Sequence, residues 1–492
     1  MQTGSSSPFS KTGTGHGVYP APLQFIAGQW RPGGDGTASR VTNPATHEVL
    51  AEVPRASRQD LDDALGAADK AFAPWRRMSA VDRGNILTAA AHLLRQRVDE
   101  LARIMSLEQG KTLTEAKLEF MLSAETFDWY AAEGRRDNGR IMPARLPGAR
   151  QMVLPQPLGP VAAFTPWNFP GLLPARKIAP ALAAGCTMVM KPSEETPASA
   201  LALAAVLAEA GLPAGVLNMV MGVPSDISEH LIASAIIRKI TFTGSVPVGK
   251  QLARLAAEGV KPCTLELGGH SAALIFADAD MDRAVATCVQ GKTRNAGQVC
   301  TSPTRFLVHE SIHDEFVKRF AKALGDVVIG AGNAPDSQMG PLANSRRVDA
   351  MEQLVKDATA AGGKLHAGGE RLGKIGNFFR PTILVDTPIT SGPMCVEPFG
   401  PVALVSRFSR TEDAIAEANR LPYGLAAYAF TQSAATAVTV SEELDAGGIG
   451  INSFAVSHVE APFGGIKESG IGYEGGSEGL AAFMHQKYVH HA

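Results

Sequence analysis

Cys300 ends a run of small and polar residues, Gly291-Lys-Thr-Arg-Asn-Ala-Gly-Gln-Val-Cys300. A thiolate is a strong nucleophile, and the small residues before this cysteine leave its surroundings open to a reactant. A cysteine with no partner nearby in the sequence is more often a small buried hydrophobic residue. The run alone therefore supports two interpretations, an inert thiol and a nucleophile.

Two glutamates beside glycines and prolines could assist such a nucleophile. Glu266 stands in Leu265-Glu-Leu-Gly-Gly269, where two α/β regions of the sequence meet. A carboxyl group with a raised pKa in a cleft is a general base that can activate water. A solvated turn is an equally good interpretation of the same residues. Glu397 opens Glu397-Pro-Phe-Gly-Pro401, a rigid turn that suits a sugar hydroxyl.

Three polar loops follow predicted strands: Phe164-Thr-Pro-Trp-Asn-Phe-Pro170, Lys191-Pro-Ser-Glu-Glu-Thr-Pro197 and Phe242-Thr-Gly-Ser245. Proline and glycine are ordinary in strand-to-helix connections. Three such loops after strands of one sheet nevertheless favour a ligand crevice, because the carboxyl ends of parallel strands meet at one edge.

The same loops indicate which ligand would fit. The turn Thr243-Gly-Ser245 suits a phosphate, since the free amides of a helix N-terminus attract anions, although the GxGxxG fingerprint is missing. Lys191 and Glu194 suit the ribose hydroxyls of an adenosine. A carboxylate there repels a 2′-phosphate, so the sequence favours NAD over NADP.

The elements that would position these loops alternate in type. Short apolar strands and helices follow one another from Gly159, with strands predicted at 161–164, 187–190, 216–220 and 239–242. A second alternating region begins after Leu267, with strands predicted at 272–276, 305–309, 382–385 and 402–407. We therefore predict an α/β fold with two doubly wound domains. An earlier helix, from Leu113 to Gly134, carries charged residues that predict a solvated face.

The composition of the 492-residue chain disfavours several classes of binding partner. With 46 basic and 48 acidic residues the net charge is −2, which favours neither nucleic acid nor an anionic membrane. No apolar run approaches a membrane span. The five cysteines have neither disulfide nor zinc-site spacing, so we expect no metal and a reducing, cytoplasmic location. Residues 1–20 are predicted to form a flexible tail.

Taken together and in order, six motifs resemble the NAD(P)-dependent aldehyde dehydrogenase superfamily, and the resemblance runs from about Phe25 to Val489. They are Pro166-Trp-Asn-Phe-Pro170, Lys191-Pro-Ser-Glu194, Phe242-Thr-Gly-Ser245, Glu266-Leu-Gly-Gly269, Gly297-Gln-Val-Cys300 and Glu397-Pro-Phe-Gly400. The closest motifs are those of succinate-semialdehyde and 2-oxoglutarate-semialdehyde dehydrogenases. The resemblance decides between the two interpretations of Cys300 in favour of the nucleophile.

The resemblance implies a role for each catalytic residue. Cys300 attacks the aldehyde carbon, and the amide of Asn168 holds the oxyanion with the backbone N–H of Cys300. Hydride transfer leaves a thioester, and Glu266 activates the water that releases the acid. Lys191 is counted as a catalytic residue with these three. Because Glu266 is present, we expect a free acid rather than a coenzyme A thioester.

The resemblance also implies which residues line the cofactor crevice, with Glu397 on the nicotinamide ribose. They are Phe164, Thr165, Pro166, Trp167, Lys191, Ser193, Glu194, Phe242, Thr243, Gly244, Ser245, Val248, Leu267, Gly268, Glu397 and Phe399.

Substrate choice depends on two arginines. Arg176 and Arg294 resemble the carboxylate-binding arginines of succinate-semialdehyde dehydrogenases, and two guanidinium groups would clamp a distal carboxylate. Ser457 and His458 occupy the substrate-side loop, where His458 replaces a serine of those enzymes. The primary expectation is succinate semialdehyde, with 2-oxoglutarate semialdehyde or a broad range of aldehydes as the alternative. Ser302 stands where some relatives carry a redox cysteine.

The resemblance implies a domain plan. Residues 21–140 and 159–266 would form the NAD-binding domain and 267–464 the catalytic domain. Residues 141–158 and 474–492 would form a β arm that joins subunits into a homodimer or homotetramer. A surface hairpin is the alternative for 141–158. Glu474 would be a distal proton-relay acid or a surface residue.

Two other classes of function compete with this one. A cysteine hydrolase acting through Cys300 would need a histidine base, and none of the twelve histidines stands in a recognisable partner motif. A non-catalytic role on the same scaffold would not require Cys300, Glu266 and Asn168 together.

Overall fold

Two sheets dominate the computed structural model, which describes residues 7–9 and 19–492. In the first, the five central strands are parallel and the outer strands are antiparallel. Its order is Gln29–Arg31, Gln24–Ile26, Leu217–Met219, Met188–Lys191, Val161–Phe164, Lys239–Thr243, Cys263–Glu266 and Gly470–Ile471. Helices cover both faces, and the central strands are accordingly buried along their length, apart from the half-buried Cys263.

Helices of the amino-terminal half pack around this sheet. Their ends carry ordinary capping signals: Ser57 and Thr112 form capping boxes with Asp60 and Glu115, and Gly185 ends a helix with φ 95°. The helices are Arg58–Arg77, Ala80–Gln96, Val98–Gln109, Leu113–Glu133, Leu172–Ala184, Pro197–Glu209, Pro224–Ala233 and Val246–Glu258.

The second sheet is parallel except for its first strand. Its order is Lys364–Ala367, Thr382–Val385, Val402–Phe408, Arg305–His309, Ala272–Ile275, Ala426–Phe430 and Gly448–Ile451. The helices beside it are Met281–Thr293, His313–Gly325, Ser345–Ala360, Thr411–Asn419 and Ala434–Glu443. The predicted fold class, two doubly wound α/β units, is confirmed.

A three-stranded antiparallel sheet contains both segments of the predicted arm. Its strands are Arg140–Met142, Arg150–Pro157 and Met484–His491, with Tyr488 opposite Val153. Ile141 and Tyr488 are 75% and 56% exposed. Contact with another subunit stays a prediction, as do the domain limits.

Smaller elements complete the described chain. They are the paired strands Ala38–Thr42 and Val49–Pro54, the paired strands Tyr423–Gly424 and Ile466–Lys467, the short helix Gly476–Ala481 and the 3-10 turns Arg294–Gly297 and Gly392–Met394.

The predicted tail, residues 1–20, falls mostly outside the described residues, at 1–6 and 10–18. Tyr19 and Pro20 are buried, and the Tyr19 hydroxyl donates to Glu108, so these two residues pack with the rest of the chain. In the part of the chain that the structure describes, no helix is both long and apolar enough to cross a membrane.

Candidate active site

The site lies where the two sheets approach each other. Four neighbouring parallel strands, Val161–Phe164, Met188–Lys191, Lys239–Thr243 and Cys263–Glu266, end at the same edge of the first sheet. The predicted loops therefore lie side by side, as expected for a ligand crevice of a parallel sheet. The cysteine loop and the Glu397 loop come to this edge from the second sheet's side.

An unusual backbone leads to Cys300. Asn295, Ala296 and Gly297 follow one another with φ of 48°, 52° and 72°. A Cβ on Gly297 would lie 2.2 Å from the carbonyl oxygen of Gly400, so this glycine lets the cysteine loop lie directly on the Glu397 loop. Left-handed non-glycine residues in succession are strained, and such strain is typical of functional loops.

Cys300 is half-buried. The pKa of its thiol is raised to about 12, first by desolvation in the cleft and then by the carboxyl groups of Glu397 and Glu266, while Arg176 and Arg294 act in the opposite direction. Four of the predicted functional residues thus surround this thiol closely enough to affect its charge.

Glu266 is the last residue of the strand Cys263–Glu266 and is 3% exposed. Its pKa is raised well above the usual range, first by burial and then by the charge of Glu474, with Lys177 and Arg176 opposing the shift. Among the described residues, neither carboxylate oxygen has a hydrogen-bond partner. The solvated-turn interpretation of Glu266 is therefore wrong, and a buried acid without a partner is suited to exchange a proton with water.

Asn168 lies in the loop after the strand Val161–Phe164 and is 3% exposed. Its side-chain amide donates to the carbonyl of Gln298, two residues before the cysteine, at 3.1 Å. Its backbone carbonyl accepts from the Lys111 ammonium at 2.8 Å and from the side-chain amide of Asn295 at 2.9 Å. The loop of Asn168 and the loop of Cys300 are thus bonded directly to each other.

The crevice fits a dinucleotide on its own chemistry. The Lys191 ammonium pairs with the Glu194 carboxylate, and the hydroxyl of Ser193 accepts from the N–H of Glu195 at 3.2 Å. The Thr165 hydroxyl is buried without a partner in the described chain. These groups offer donors and acceptors to sugar hydroxyls.

Two glycines allow close approaches within the crevice that a larger side chain would block. A Cβ on Gly244 would lie 2.3 Å from the Phe242 ring, and one on Gly268 would lie 2.4 Å from a Glu397 oxygen. Ser245 is the N-cap residue of the helix Val246–Glu258, but its side chain makes no capping hydrogen bond. Both Ser245 and Val248 are exposed at this end of the helix. Open helix N-terminal amides are suited to a phosphate.

The Glu397 turn forms the opposite wall. Burial raises the pKa of Glu397 to about 7, while the N–H of Gly269 (3.3 Å) and the cations of Arg347 and Lys292 oppose the shift. Arg347 holds the turn through the carbonyls of Pro398 and Phe399. The Phe399 ring meets that of Trp167 edge-on at 5.5 Å. Pro166, Thr243 and Leu267 lie in the loops and strand ends already described.

The two substrate arginines are held differently. Arg176, on the buried helix Leu172–Ala184, donates to the carbonyl of Ser457 at 2.8 Å and lies 5.3 Å from the Phe463 ring. Arg294 lies 5.2 Å from the ring of Phe169. Both guanidinium groups act on the thiol of Cys300, whereas the His458 side chain is exposed.

Sequence reasoning assigned no role to Lys177, which is fully buried beneath the site. Its ammonium donates to the Thr243 hydroxyl at 2.7 Å and pairs with Glu474. The surface alternative for Glu474 is wrong, because this residue is 4% exposed. The available signal was a pair of cations, Arg176 and Lys177, inside a helix whose other residues are all apolar.

Comparisons with known proteins agree with this geometry. Residues 30–489 match the model of the aldehyde dehydrogenase family. The chain is 47% identical over 474 residues to a putative 4-(hydroxymethyl)benzenesulfonate dehydrogenase of Comamonas testosteroni, covering 96% of this chain and 99% of that protein. It is 41% identical over 465 residues to the NADP(+) succinate-semialdehyde dehydrogenase of Escherichia coli (strain K12), covering 94% and 96%.

A solved structure gives the same result. The crystal structure of succinate-semialdehyde dehydrogenase from Burkholderia pseudomallei superposes with a TM-score of 0.95 at 39% identity, covering 98% of this chain and 99% of that one. The predicted resemblance is confirmed. The chain belongs to the aldehyde dehydrogenase family.

Proposed function

We propose that this protein oxidises an aldehyde with a distal anionic group, with succinate semialdehyde as the primary candidate, to the carboxylic acid with NAD. The observation that carries the proposal is the pair Arg176 and Arg294, two guanidinium groups that both act on the thiol of Cys300. A distal carboxylate held by both would present the aldehyde carbon to the sulfur.

In the proposed reaction the thiol of Cys300 gives its proton to solvent water, and the resulting thiolate sulfur bonds to the aldehyde carbon. The carbonyl oxygen becomes an oxyanion, which the Asn168 amide and the backbone N–H of Cys300 stabilise. The loops of Lys191, Thr243 and Glu397 would hold the NAD, which would supply the acceptor for the hydride, so that a thioester would remain on Cys300. Glu266 then takes a proton from water, the water oxygen adds to the acyl carbon, and the carbon–sulfur bond breaks to release the acid.

NAD is proposed over NADP because of Glu194. Its carboxylate pairs with Lys191 and would stand where a 2′-phosphate must be accommodated. The Escherichia coli relative is named for NADP(+), so the proposal depends on Glu194 and not on family membership.

An aromatic aldehyde with an anionic substituent is the second candidate. The Comamonas testosteroni relative is named for a benzenesulfonate. Each arginine also lies against a phenylalanine ring, Arg176 against Phe463 and Arg294 against Phe169. An aromatic ring therefore accompanies each cation that would bind the substrate's anionic group. 2-Oxoglutarate semialdehyde, which carries a carboxylate further from the aldehyde, is the aliphatic alternative.

A substrate panel tests the proposal. We expect kcat/KM to rank succinate semialdehyde above butanal, 2-oxoglutarate semialdehyde, 4-sulfobenzaldehyde and benzaldehyde. Arg176→Ala and Arg294→Ala should lower kcat/KM for the anionic aldehydes by about 10- to 100-fold, since charged hydrogen bonds of about 1.5–3 kcal/mol are lost. An equal loss with butanal would contradict the clamp, and Cys300→Ala should be inactive with every aldehyde.

A further inference from the structure

The start of the helix Leu113–Glu133, with the residues just before it, contacts both the loop of Asn168 and the loop of Cys300. Lys111 lies two residues before the first residue of this helix, and Glu115 and Glu119 are one turn apart on it. Lys111 and Glu119 are each 2% exposed and form an ion pair, so the predicted solvated face is wrong at this position. A buried ion pair adds little net stability, which suggests another reason for these charges.

Glu119 holds the carboxyl-terminal end of the segment 168–172, which carries Asn168. One of its oxygens pairs with Lys111, and the other accepts from the N–H groups of Gly171 (2.8 Å) and Leu172 (3.1 Å). These amides begin the helix Leu172–Ala184, which has glycine at its N-cap and therefore no side-chain cap of its own. Glu119 supplies that cap from another helix.

Lys111 holds the amino-terminal end of the same segment. Its ammonium donates to the backbone carbonyl of Asn168 at 2.8 Å and lies 4.1 Å from the centre of the Phe169 ring. The ion pair therefore grips the segment 168–172 at both ends. Neither side chain is among the groups that surround the thiol.

Glu115 connects this helix to the cysteine loop. Its carboxylate accepts from the N–H of Asn295 at 2.6 Å, and the Asn295 amide donates to the carbonyl of Asn168 at 2.9 Å. Asn295 begins the left-handed run that ends three residues before Cys300. One helix end thus sets the spacing between the two loops that supply the oxyanion donors.

We propose that Lys111 and Glu119 are positioning residues for oxyanion stabilisation. By gripping the segment 168–172 they aim the Asn168 amide and the Cys300 backbone N–H at one point, without touching substrate. This inference depends on the proposed roles of Asn168 and Cys300. Misplacing catalytic groups by about 1 Å can cost about 100-fold in rate.

Glu119→Gln and Lys111→Met test the proposal, with three rates measured on each variant. The rates are aldehyde oxidation with NAD, hydrolysis of p-nitrophenyl acetate, and alkylation of Cys300 by iodoacetamide. Attack on an aldehyde or an ester creates an oxyanion, whereas alkylation does not. We expect the first two rates to fall by on the order of 10- to 100-fold while alkylation is unchanged. Lys111→Arg, which keeps a donor for Asn168, should recover part of the loss.

Asp60→Asn is the matched control. Asp60 is also a buried carboxylate that pairs with an arginine, Arg31, and accepts from two backbone N–H groups, those of Gly34 and Ser57, but it lies at another helix start. All three of its rates should match the unmodified protein's.

Three outcomes would overturn the inference. A parallel fall of alkylation in the Glu119 and Lys111 variants would indicate a merely structural role. Unchanged oxidation and ester hydrolysis in both variants, beside a slow Asn168→Ala variant, would remove the positioning role alone. An Asn168→Ala variant with unaltered rates would remove the proposed oxyanion site as well.

Discussion

At the scale of single residues, the site is a balance of charges around one thiol. Two carboxyl groups disfavour the thiolate of Cys300 and two guanidinium groups favour it. Glu266 is itself kept protonated to higher pH than an ordinary glutamate by burial and by Glu474. The two groups that must each lose a proton in the proposed reaction therefore oppose each other's ionisation.

Glu266→Gln should separate these effects. Removing the carboxylate removes a negative neighbour, so the pKa of Cys300 should fall below that of the unmodified protein, and alkylation should begin at lower pH. Steady turnover should fall by on the order of 100-fold or more, because the general base is lost, while one turnover's burst of NADH remains. Stopped-flow absorbance and the pH dependence of iodoacetamide inactivation check both expectations. An unchanged steady rate would contradict the role of Glu266.

Glu194→Gln should shift the cofactor preference. The change keeps the shape of the side chain and removes the charge that faces a 2′-phosphate, so kcat/KM with NADP should rise at least tenfold relative to NAD, about 1.4 kcal/mol. Glu195→Gln is the matched control, because its carboxylate pairs instead with Arg346 and Asn344. Equal ratios in the two variants would argue against Glu194 as the determinant.

At the scale of elements, the loop of Cys300 depends on one glycine. Gly297 has φ 72° and lies against the carbonyl of Gly400. The loop is short, and both neighbours before the glycine are also left-handed. Any movement there is passed directly to the sulfur three residues later.

Gly297→Ala should lower kcat by on the order of 100-fold, because a Cβ there would lie 2.2 Å from the Gly400 oxygen and must push the two loops apart. Backbone strain alone costs about 1–2 kcal/mol. Gly36→Ala is the matched control, since Gly36 has φ 77° and no atom of the described residues lies within 4 Å of an added Cβ. Thermal unfolding and steady-state kinetics of both variants separate strain from clash. Equal effects in the two would contradict the clash.

Some elements were predictable from sequence and others were not. Strands such as Arg305–His309 and Thr382–Val385 each contain three consecutive apolar residues, and the structure has them at their predicted bounds. Ala426–Phe430 and Gly448–Ile451 were missed, because alanine and glycine have weak strand preference and only packing in the second sheet makes them strands.

The same division applies to the site. Cys300, Glu266 and Asn168 stand in local motifs and could be named in advance. Lys111 and Glu119 could not, because charged residues near a helix start look like a solvated face until a loop some 50 residues later covers them.

At the scale of the whole molecule, the three-stranded sheet exposes large apolar and aromatic side chains to solvent. Ile141 and Tyr488 are apolar or aromatic and exposed on its strands. An exposed sheet of this kind is suited to a second subunit, and we expect a homodimer or homotetramer.

Ile141→Glu combined with Tyr488→Glu should weaken assembly, because two buried charges per subunit would lack partners in the interface. Sedimentation velocity should show a smaller species at micromolar concentration. Val438→Glu is the control, since Val438 is also exposed, at 57%, but lies on the helix Ala434–Glu443. The predicted role of the three-stranded sheet in assembly would be contradicted if the unmodified protein is already monomeric. It would also be contradicted if the double variant has an unaltered sedimentation coefficient.

The strand Gly470–Ile471, which closes the first sheet beside Cys263–Glu266, has a consequence for biosynthesis. The ribosome makes this strand roughly 200 residues after Glu266, a delay on the order of 10 to 40 s. During that interval the strand Cys263–Glu266 is an unpaired edge of the sheet in the nascent chain. Lys177 also lacks its ion-pair partner, because Glu474 has not yet been synthesised. The half of the molecule that is translated first is thus completed last.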